Sequence, residues 1–473
     1  MITMKRWAPA LLPGVLMLVL GLVRPTRAVL SWDEIATADV ARRSVSQIWL
    51  LAHHIDGVFL PYYLFMHLWT TVVGDSVLDL RFPSIVAMAG AVALAGELGR
   101  RLSGPAVGLV TGLLLCLLPN LSRYAAEARP YAFACFFATL ALLLLYRVLD
   151  APSRLRWAVY GGAVLGLGLS HVVALTTLVA HLVILLMRTR RAVLPWILTV
   201  AVALVPLLPL LWWGTHQRQA QLHWMPPLTG ATIYQFPAEL TGTAPTAWLL
   251  LGLALLAAIT ADRRSVELTV AGFGPPLVVL ALAAAGTSFW VNRYLLFALM
   301  PIAMLAATTL VRAATAPRWQ TRGVRLLAAF CLVGLVAVPG EIEVRGPTVK
   351  NGSNYRKLAA LIRSGQQPGD VLVYQAGRTM RAGVEYYLRN DTGRPRDALV
   401  SASAAAIGSL SAREYPDPVV RLAGTDRIWL VLYARRTDPL TGRPDLASFL
   451  REGYHQAGVW TGKRATLALY VAD

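Results

Sequence analysis

Long apolar runs broken by short polar clusters fill the first 340 residues. Runs of this kind, near the ~20 residues that a bilayer requires, predict membrane-spanning helices. They fall at roughly 8–23, 82–98, 105–119, 131–149, 156–170, 172–187, 192–213, 246–260, 266–286, 294–311 and 325–339. The first run follows Lys5 and Arg6, as a signal peptide would. However, Arg24, Pro25 and Arg27 come after it without a small-residue cleavage site, so a retained helix is expected. Basic clusters at Lys5/Arg6, Arg100/Arg101, Arg147/Arg154/Arg156, Arg188/Arg190/Arg191, Arg263/Arg264 and Arg312/Arg318/Arg322/Arg325 occupy every second loop of this map. The positive-inside bias therefore predicts a cytoplasmic N-terminus and an extracytoplasmic C-terminal tail. Residues 58–73 are apolar too, but contain Pro61, His67 and several aromatic rings. An interfacial or re-entrant helix fits them better than a span.

The pattern changes after Pro339. Residues 341–473 carry 13 acidic and 19 basic side chains, with no run long enough to span. Short β-like stretches at 371–374, 428–433 and 466–471 alternate with helix-like ones at 355–364, 381–389 and 446–453. The expected architecture is mainly α: a polytopic bundle of about eleven transmembrane helices over residues 1–340, with a first extracytoplasmic loop at 25–80. A small soluble α/β domain at 341–473 follows, on the extracytoplasmic side.

Composition sharpens the picture. Hydrophobic residues are 56% of the chain, charged residues 15%, and the mean hydropathy is +0.55. A soluble protein carries about 25% charged residues, so a soluble globule is excluded, as is a disordered chain. The net charge of +19 is accounted for by loop clusters rather than by a nucleic-acid-binding face. Of the 44 basic residues 40 are Arg, usage that fits a bacterial genome of high G+C content. Cys116, Cys135 and Cys331 all lie in apolar runs, which predicts neither disulfides nor a cysteine metal site.

Twelve acids lie in residues 1–340, and six of them are in the first outer loop: Asp33, Glu34, Asp39, Asp56, Asp75 and Asp79. Solubility of a loop would account for some. Asp33 and Glu34, however, adjoin a membrane boundary, where carboxylates are costly, and are the first candidates for chemistry. Arg123-Tyr124-Ala-Ala-Glu127-Ala-Arg129-Pro130-Tyr131 and Trp290-Val-Asn292-Arg293-Tyr294 mark two further outer boundaries. Arginine is disfavoured there by the topology rule, and guanidinium groups bind phosphate in a bidentate manner. Snorkelling side chains with an aromatic belt are the alternative. His53, His54 and Asp56 form a dense loop cluster, with His171 at another outer boundary. A divalent metal is one reading of the cluster, and hydrogen bonding or substrate contact the other. No metal or cofactor is required by the sequence.

Ser31-Trp32-Asp33-Glu34, then Pro61-Tyr62-Tyr63, Gly74-Asp75-Ser76, Leu80-Arg81-Phe82-Pro83-Ser84, Gly99-Arg100-Arg101-Leu102 and Glu127-Ala-Arg129-Pro130-Tyr131 follow in this order. The series resembles the GT-C polytopic glycosyltransferases: the protein O-mannosyltransferase and aminoarabinose-lipid A transferase superfamily, in its bacterial mannosyltransferase-like branch. The resemblance covers residues 1–310, and the tail resembles the soluble domain that many members append. It implies transfer of a sugar, such as mannose or another hexose or pentose, from a polyprenyl-phosphate donor. The acceptor would be a hydroxyl of an envelope glycan, lipid or protein, outside the cytoplasmic face of a bacterial cell membrane. Asp33 would be the general base, with Glu34 supporting it. Arg129 and Arg293, with Arg81 and Arg123 behind them, would bind the donor phosphate. Tyr131, Tyr294, His53, His54, Asp56, Tyr62 and His171 would contact substrate. An adjacent acid pair lacks the opposed carboxylates of a double displacement, so inversion is expected. The first loop has no Lys-Pro-Pro segment of the lipid A branch; it reads His53-His54-Ile55-Asp56-Gly57-Val58-Phe59-Leu60-Pro61. A transporter or flippase for a lipid-linked glycan is the alternative from another class, and a structural role in envelope assembly a third.

Overall fold

The computed structural model describes the chain except residues 1, 223, 226, 261, 315–321, 348, 349, 351 and 376, and describes the backbone alone at 2–6, 220, 222, 322–331 and 378. Arg318 lies outside the described residues, as do the side chains of Lys5, Arg6, Arg322, Arg325 and Cys331. In chain order the helices begin with α1 (Ile2–Leu22), α2 (Trp32–Ala41), α3 (Val45–His54), α4 (Leu60–Val73), α5 (Val77–Ser103), α6 (Pro105–Cys116) and α7 (Pro119–Ala125). Next come α8 (Tyr131–Asp150), α9 (Arg154–Ser170), α10 (Thr177–Arg188), α11 (Val193–Leu204), α12 (Leu208–His216), α13 (Arg218–Leu222), α14 (Gly230–Thr241) and α15 (Ala244–Ile259). Then follow α16 (Arg263–Ala284), α17 (Leu299–Ala314), α18 (Arg322–Val344), α19 (Tyr355–Gly365), α20 (Arg378–Leu388), α21 (Pro418–Leu422) and α22 (Ala447–Gly453).

Each predicted span coincides with helix. Among the described residues, five stretches are long and apolar enough to cross a bilayer: Val77–Ser103, Tyr131–Asp150, Arg190–His216, Arg263–Ala284 and Leu296–Ala314. Two bent pairs bring the number to seven if each is one span: α6 with α7, bent by 72°, and α14 with α15, bent by 89°. The first bend lies at the end of the predicted run at 105–119. Pro119 cannot donate the helical hydrogen bond its position would require, and it restarts the chain at the first position of α7 instead.

The chain divides into two compact units. The first holds residues 1–25 and 81–345, the helical bundle. Its core is close-packed through small residues, as helix contacts in lipid require. A Cβ on Gly96 would strike the Pro9 carbonyl of α1, and one on Gly108 would strike the Gly96 carbonyl. Glu267 is fully buried and receives both Arg188 Nε and Nη2, at 2.6 and 2.7 Å, and the Tyr146 hydroxyl at 2.9 Å. One carboxylate thus joins α8, α10 and α16.

The second unit holds residues 26–80 together with 346–473. The first outer loop and the tail therefore form one body. Its five-stranded sheet has the order β2-β1-β5-β7-β6, with β1 (Val371–Tyr374), β2 (Arg396–Asp397), β5 (Arg427–Tyr433), β6 (Tyr454–Gly462) and β7 (Ala465–Ala472). A separate antiparallel pair is made by β3 (Val400–Ala402) and β4 (Arg413–Glu414). Strands β2, β1 and β5 run parallel, and β7 and β6 close the sheet antiparallel. Strand β1 is buried along its whole length, in line with its unbroken Val-Leu-Val-Tyr sequence. From the loop side, α2 packs against α20 and α4. Asp75 accepts from Arg389 Nε at 3.1 Å, and the Tyr386 hydroxyl donates to the Asp75 carbonyl at 2.7 Å. Residues 58–73 form a short helical turn and α4, with Tyr62, Tyr63 and Met66 buried and Phe65, Leu68 and Val72 exposed.

Helix α20 carries a titrating group. Burial pushes the Glu385 carboxyl up to about 7, and Asp397 nearby adds to the shift. Above that value the charge must be carried where it is poorly hydrated. Because the folded value lies above the ordinary one, the stability from Glu385 is complete at low pH and is lost as pH rises through about 7. Hydrogen-exchange protection of α20 and β1 in the full chain, referred to the intrinsic exchange rate at each pH, is expected to be higher at pH 5 than at pH 8. Glu385→Gln should flatten that dependence, and an unchanged pH difference in the variant would assign it elsewhere.

Candidate functional site

In the second unit the chemistry begins with a helix start. Ser31 caps α2 by accepting from the Glu34 amide at 3.2 Å, while the Glu34 carboxylate accepts from the Ser31 amide at 2.9 Å. This reciprocal capping box satisfies two backbone donors and fixes the first turn. Glu34 is fully buried and also receives the Lys350 ammonium at 3.0 Å. Asp33, one residue earlier, is half-buried on the same turn. The two acids, adjacent in sequence, thus have different surroundings. Trp32 lies edge-on to Tyr433, with 5.8 Å between ring centroids, and the Arg464 guanidinium lies 5.5 Å from the Trp32 ring centre. Lys350, Tyr433 and Arg464 carry no local sequence signal that would place them beside α2.

His53, His54 and Asp56 are engaged separately. His53 Nδ1 meets the Trp49 carbonyl at 2.9 Å, and His54 Nδ1 meets the Gly408 carbonyl at 3.1 Å. Asp56 takes the left-handed conformation, with φ 59°, and accepts from the Tyr63 hydroxyl at 2.8 Å. Aspartate tolerates that conformation better than most residues. Tyr62 is buried beside the Tyr63 ring. Among the described residues, no three His, Cys, Asp or Glu side chains are grouped to hold a metal.

In the first unit, residues far apart in sequence converge. Arg293 Nε donates to the Tyr131 hydroxyl at 3.0 Å. Its guanidinium also lies over three rings, 4.9 Å from Trp224, 5.5 Å from Tyr294 and 5.9 Å from Tyr131. His171 packs on Tyr294 at 4.6 Å and on Tyr131 at 5.8 Å, and Tyr124 meets Tyr131 edge-on at 5.6 Å. His171 is buried, and its Nδ1 has no hydrogen-bond partner among the described residues. Arg123 stacks on Tyr124 at 5.3 Å and reaches Glu127 at 4.0 Å. Arg129 is buried on the same turn, and its carbonyl accepts from Ser84. Arg81 is fully buried and donates to the Pro25 carbonyl. Arg293, Tyr131, Tyr294 and His171 therefore form one cationic, aromatic cluster. Arg123 and Arg129 approach it through the 123–131 segment, whereas Arg81 is held against the backbone after α1. Trp224 was not singled out by the sequence pattern.

A bundle with bent helices, an acid-bearing loop and an appended α/β sheet matches known structures. ArnT from Cupriavidus metallidurans in the apo state aligns over 96% of both chains with a TM-score of 0.64, at 14% identity. The same protein bound to undecaprenyl phosphate aligns over 97% of both with a TM-score of 0.61, also at 14% identity. The apo oligosaccharyltransferase of Archaeoglobus fulgidus aligns over 83% of this chain and 64% of its own, with a TM-score of 0.54 at 10% identity. The chain has the GT-C fold. Residues 60–213, from α4 to α12, also match the family model described as dolichyl-phosphate-mannose-protein mannosyltransferase. No curated protein matches the sequence. As a GT-C protein with several apolar helices, it is a multi-pass membrane protein.

The Arg293 cluster makes a graded prediction. With a lipid phosphate as the probe, Arg293→Ala, which removes the charge, is expected to bind at least about tenfold more weakly than the unsubstituted protein. Tyr131→Phe removes one hydrogen bond worth about 1 kcal/mol, or roughly fivefold. Titration of the purified protein with the lipid checks both, and equal affinity in all three proteins would place the phosphate elsewhere.

Proposed function

We propose that the protein is a membrane glycosyltransferase that moves a sugar from a polyprenyl-phosphate donor to a hydroxyl acceptor on the extracytoplasmic side. The observation that carries this reading is the Arg293 cluster. A guanidinium braced by a tyrosine hydroxyl and enclosed by aromatic rings suits a lipid phosphate that gains charge as it leaves. A relative of the same fold has been solved with undecaprenyl phosphate, and an archaeal oligosaccharyltransferase, with a TM-score of 0.53 at 10% identity over 99% of this chain and 74% of its own, with dolichol-phosphate and an inhibitory peptide.

The chemistry asked of the chain is a single displacement. The acceptor oxygen attacks the anomeric carbon and loses its proton to the Asp33 carboxylate. The bond from that carbon to the phosphate oxygen breaks, and the electron pair leaves with the polyprenyl phosphate. Arg293 is the first donor to that anion, with Arg129 and Arg123 contributing charge. Tyr131, Tyr294 and His171 line the donor side. One attack from the opposite face inverts the anomeric centre. Mannose or another hexose or pentose fits as the sugar, and a glycan, lipid or protein hydroxyl as the acceptor. The bacterial plasma membrane, with a cytoplasmic N-terminus, is the setting that the arginine distribution favours.

General-base catalysis contributes about 10²–10⁴-fold. Asp33→Asn is therefore expected to lower the release of polyprenyl phosphate by at least about a hundredfold while lipid binding persists. Envelope extract supplies the acceptor, and mass spectrometry of the product reads sugar, linkage and anomeric configuration. Full transfer by the variant would remove Asp33 as the base.

A further inference from the structure

The first turn of α2 is held by a segment more than 300 residues away. The Val29 amide donates to the Pro347 carbonyl at 3.1 Å. Lys350, itself buried, donates to Glu34 at 3.0 Å. Gly352 lies so close to the chain before the cap that a Cβ there would stand 2.6 Å from the Leu30 carbonyl oxygen and 3.5 Å from Ser31 Cα. Arg356 Nη2 donates to the Thr26 carbonyl at 2.6 Å. The same segment continues to the β6–β7 turn, where Ser353 donates to the Arg464 carbonyl at 2.6 Å. Arg464 in turn covers Trp32.

A buried ion pair is a poor source of net stability, because desolvating both charges offsets their attraction. It is a good source of geometric definition, since a displaced partner leaves an unpaired charge in an apolar setting. Glu34 already serves the capping box, so the ammonium acts on the same oxygen, Oε2, that receives the Ser31 amide. Any movement of Lys350 is thereby passed to the turn that bears Asp33. We infer that Pro347, Lys350, Gly352 and Arg356 form a positioning brace for Asp33, with Lys350 its positioning residue and Gly352 the close contact that sets its depth. The inference rests on the reading of Asp33 as the base.

The test uses full-length protein with a polyprenyl-phosphate sugar and acceptor extract. Turnover is expressed per molecule that binds undecaprenyl phosphate, so that misfolded protein is not counted. A displacement of about 1 Å costs on the order of a hundredfold in rate. Lys350→Met is expected to lower kcat by that order with the KM for donor unchanged, and Lys350→Arg to recover most of the loss. Gly352→Ala, which keeps the ion pair but pushes on the Leu30 carbonyl, should lower kcat by at least about tenfold. If Lys350→Met does not fold, Gly352→Ala decides alone. Turnover within about twofold of the unsubstituted protein in the folded variants, with Asp33→Asn inactive, overturns the brace and leaves the base reading standing. Full turnover by Asp33→Asn overturns both.

Discussion

A charge moved from water into an apolar medium loses its hydration, and the loss must be met by a partner or avoided by position. Much of this chain's organisation follows from that constraint. Arginines gather in alternate loops, the acids of the membrane portion concentrate in one outer loop, and those that are fully buried are paired. Glu267 in the bundle is met by Arg188 and Tyr146, and Glu34 in the second unit by Lys350. In both places the ionic contact joins elements that are far apart in sequence, so avoiding an unpaired charge also defines how those elements pack.

The acid pair illustrates how one local motif is divided by its surroundings. Asp33 and Glu34 stand on consecutive positions of a helical turn and so project about 100° apart. Glu34 turns to the cap and to Lys350, while Asp33 remains half-buried. A carboxylate that already accepts from a buried ammonium and a backbone amide is committed to structure. The cap thus gives two neighbouring acids different surroundings, which sequence adjacency does not express.

Legibility differed by element. The helix positions were readable because bilayer length and apolarity act locally, and each predicted run coincides with helix. Helix α7 was not expected: the predicted run ends at 119, where α7 begins, and the polar residues Asn120, Ser122 and Arg123 that follow read as an outer loop. In the tail, β1, β5 and β7 were readable as short apolar runs that became central strands. Strand β6 was not, because an edge strand reading Tyr-His-Gln-Ala-Gly-Val-Trp-Thr-Gly is largely solvent-facing and lacks a clean alternation. Among the site residues, the arginines and tyrosines near outer boundaries were singled out by residue type and topology. Trp224 was not, because a lone tryptophan after the polar stretch 214–223 reads as an ordinary interfacial ring.

The sequence by itself determined that this is a multi-pass helical membrane protein with an α/β tail, and it marked where acids and arginines concentrate. Those properties depend on local periodicity and on the transfer energy of single residues, which a chain carries at every position. Only the tertiary structure decided that residues 26–80 and 346–473 form one unit, that Glu34 is buried against Lys350, and that Arg293 meets Tyr131 and His171 meets Tyr294. These are pairings across roughly 120 to 320 residues. They depend on which surfaces fit together once helices and strands exist, and no local pattern encodes that fit.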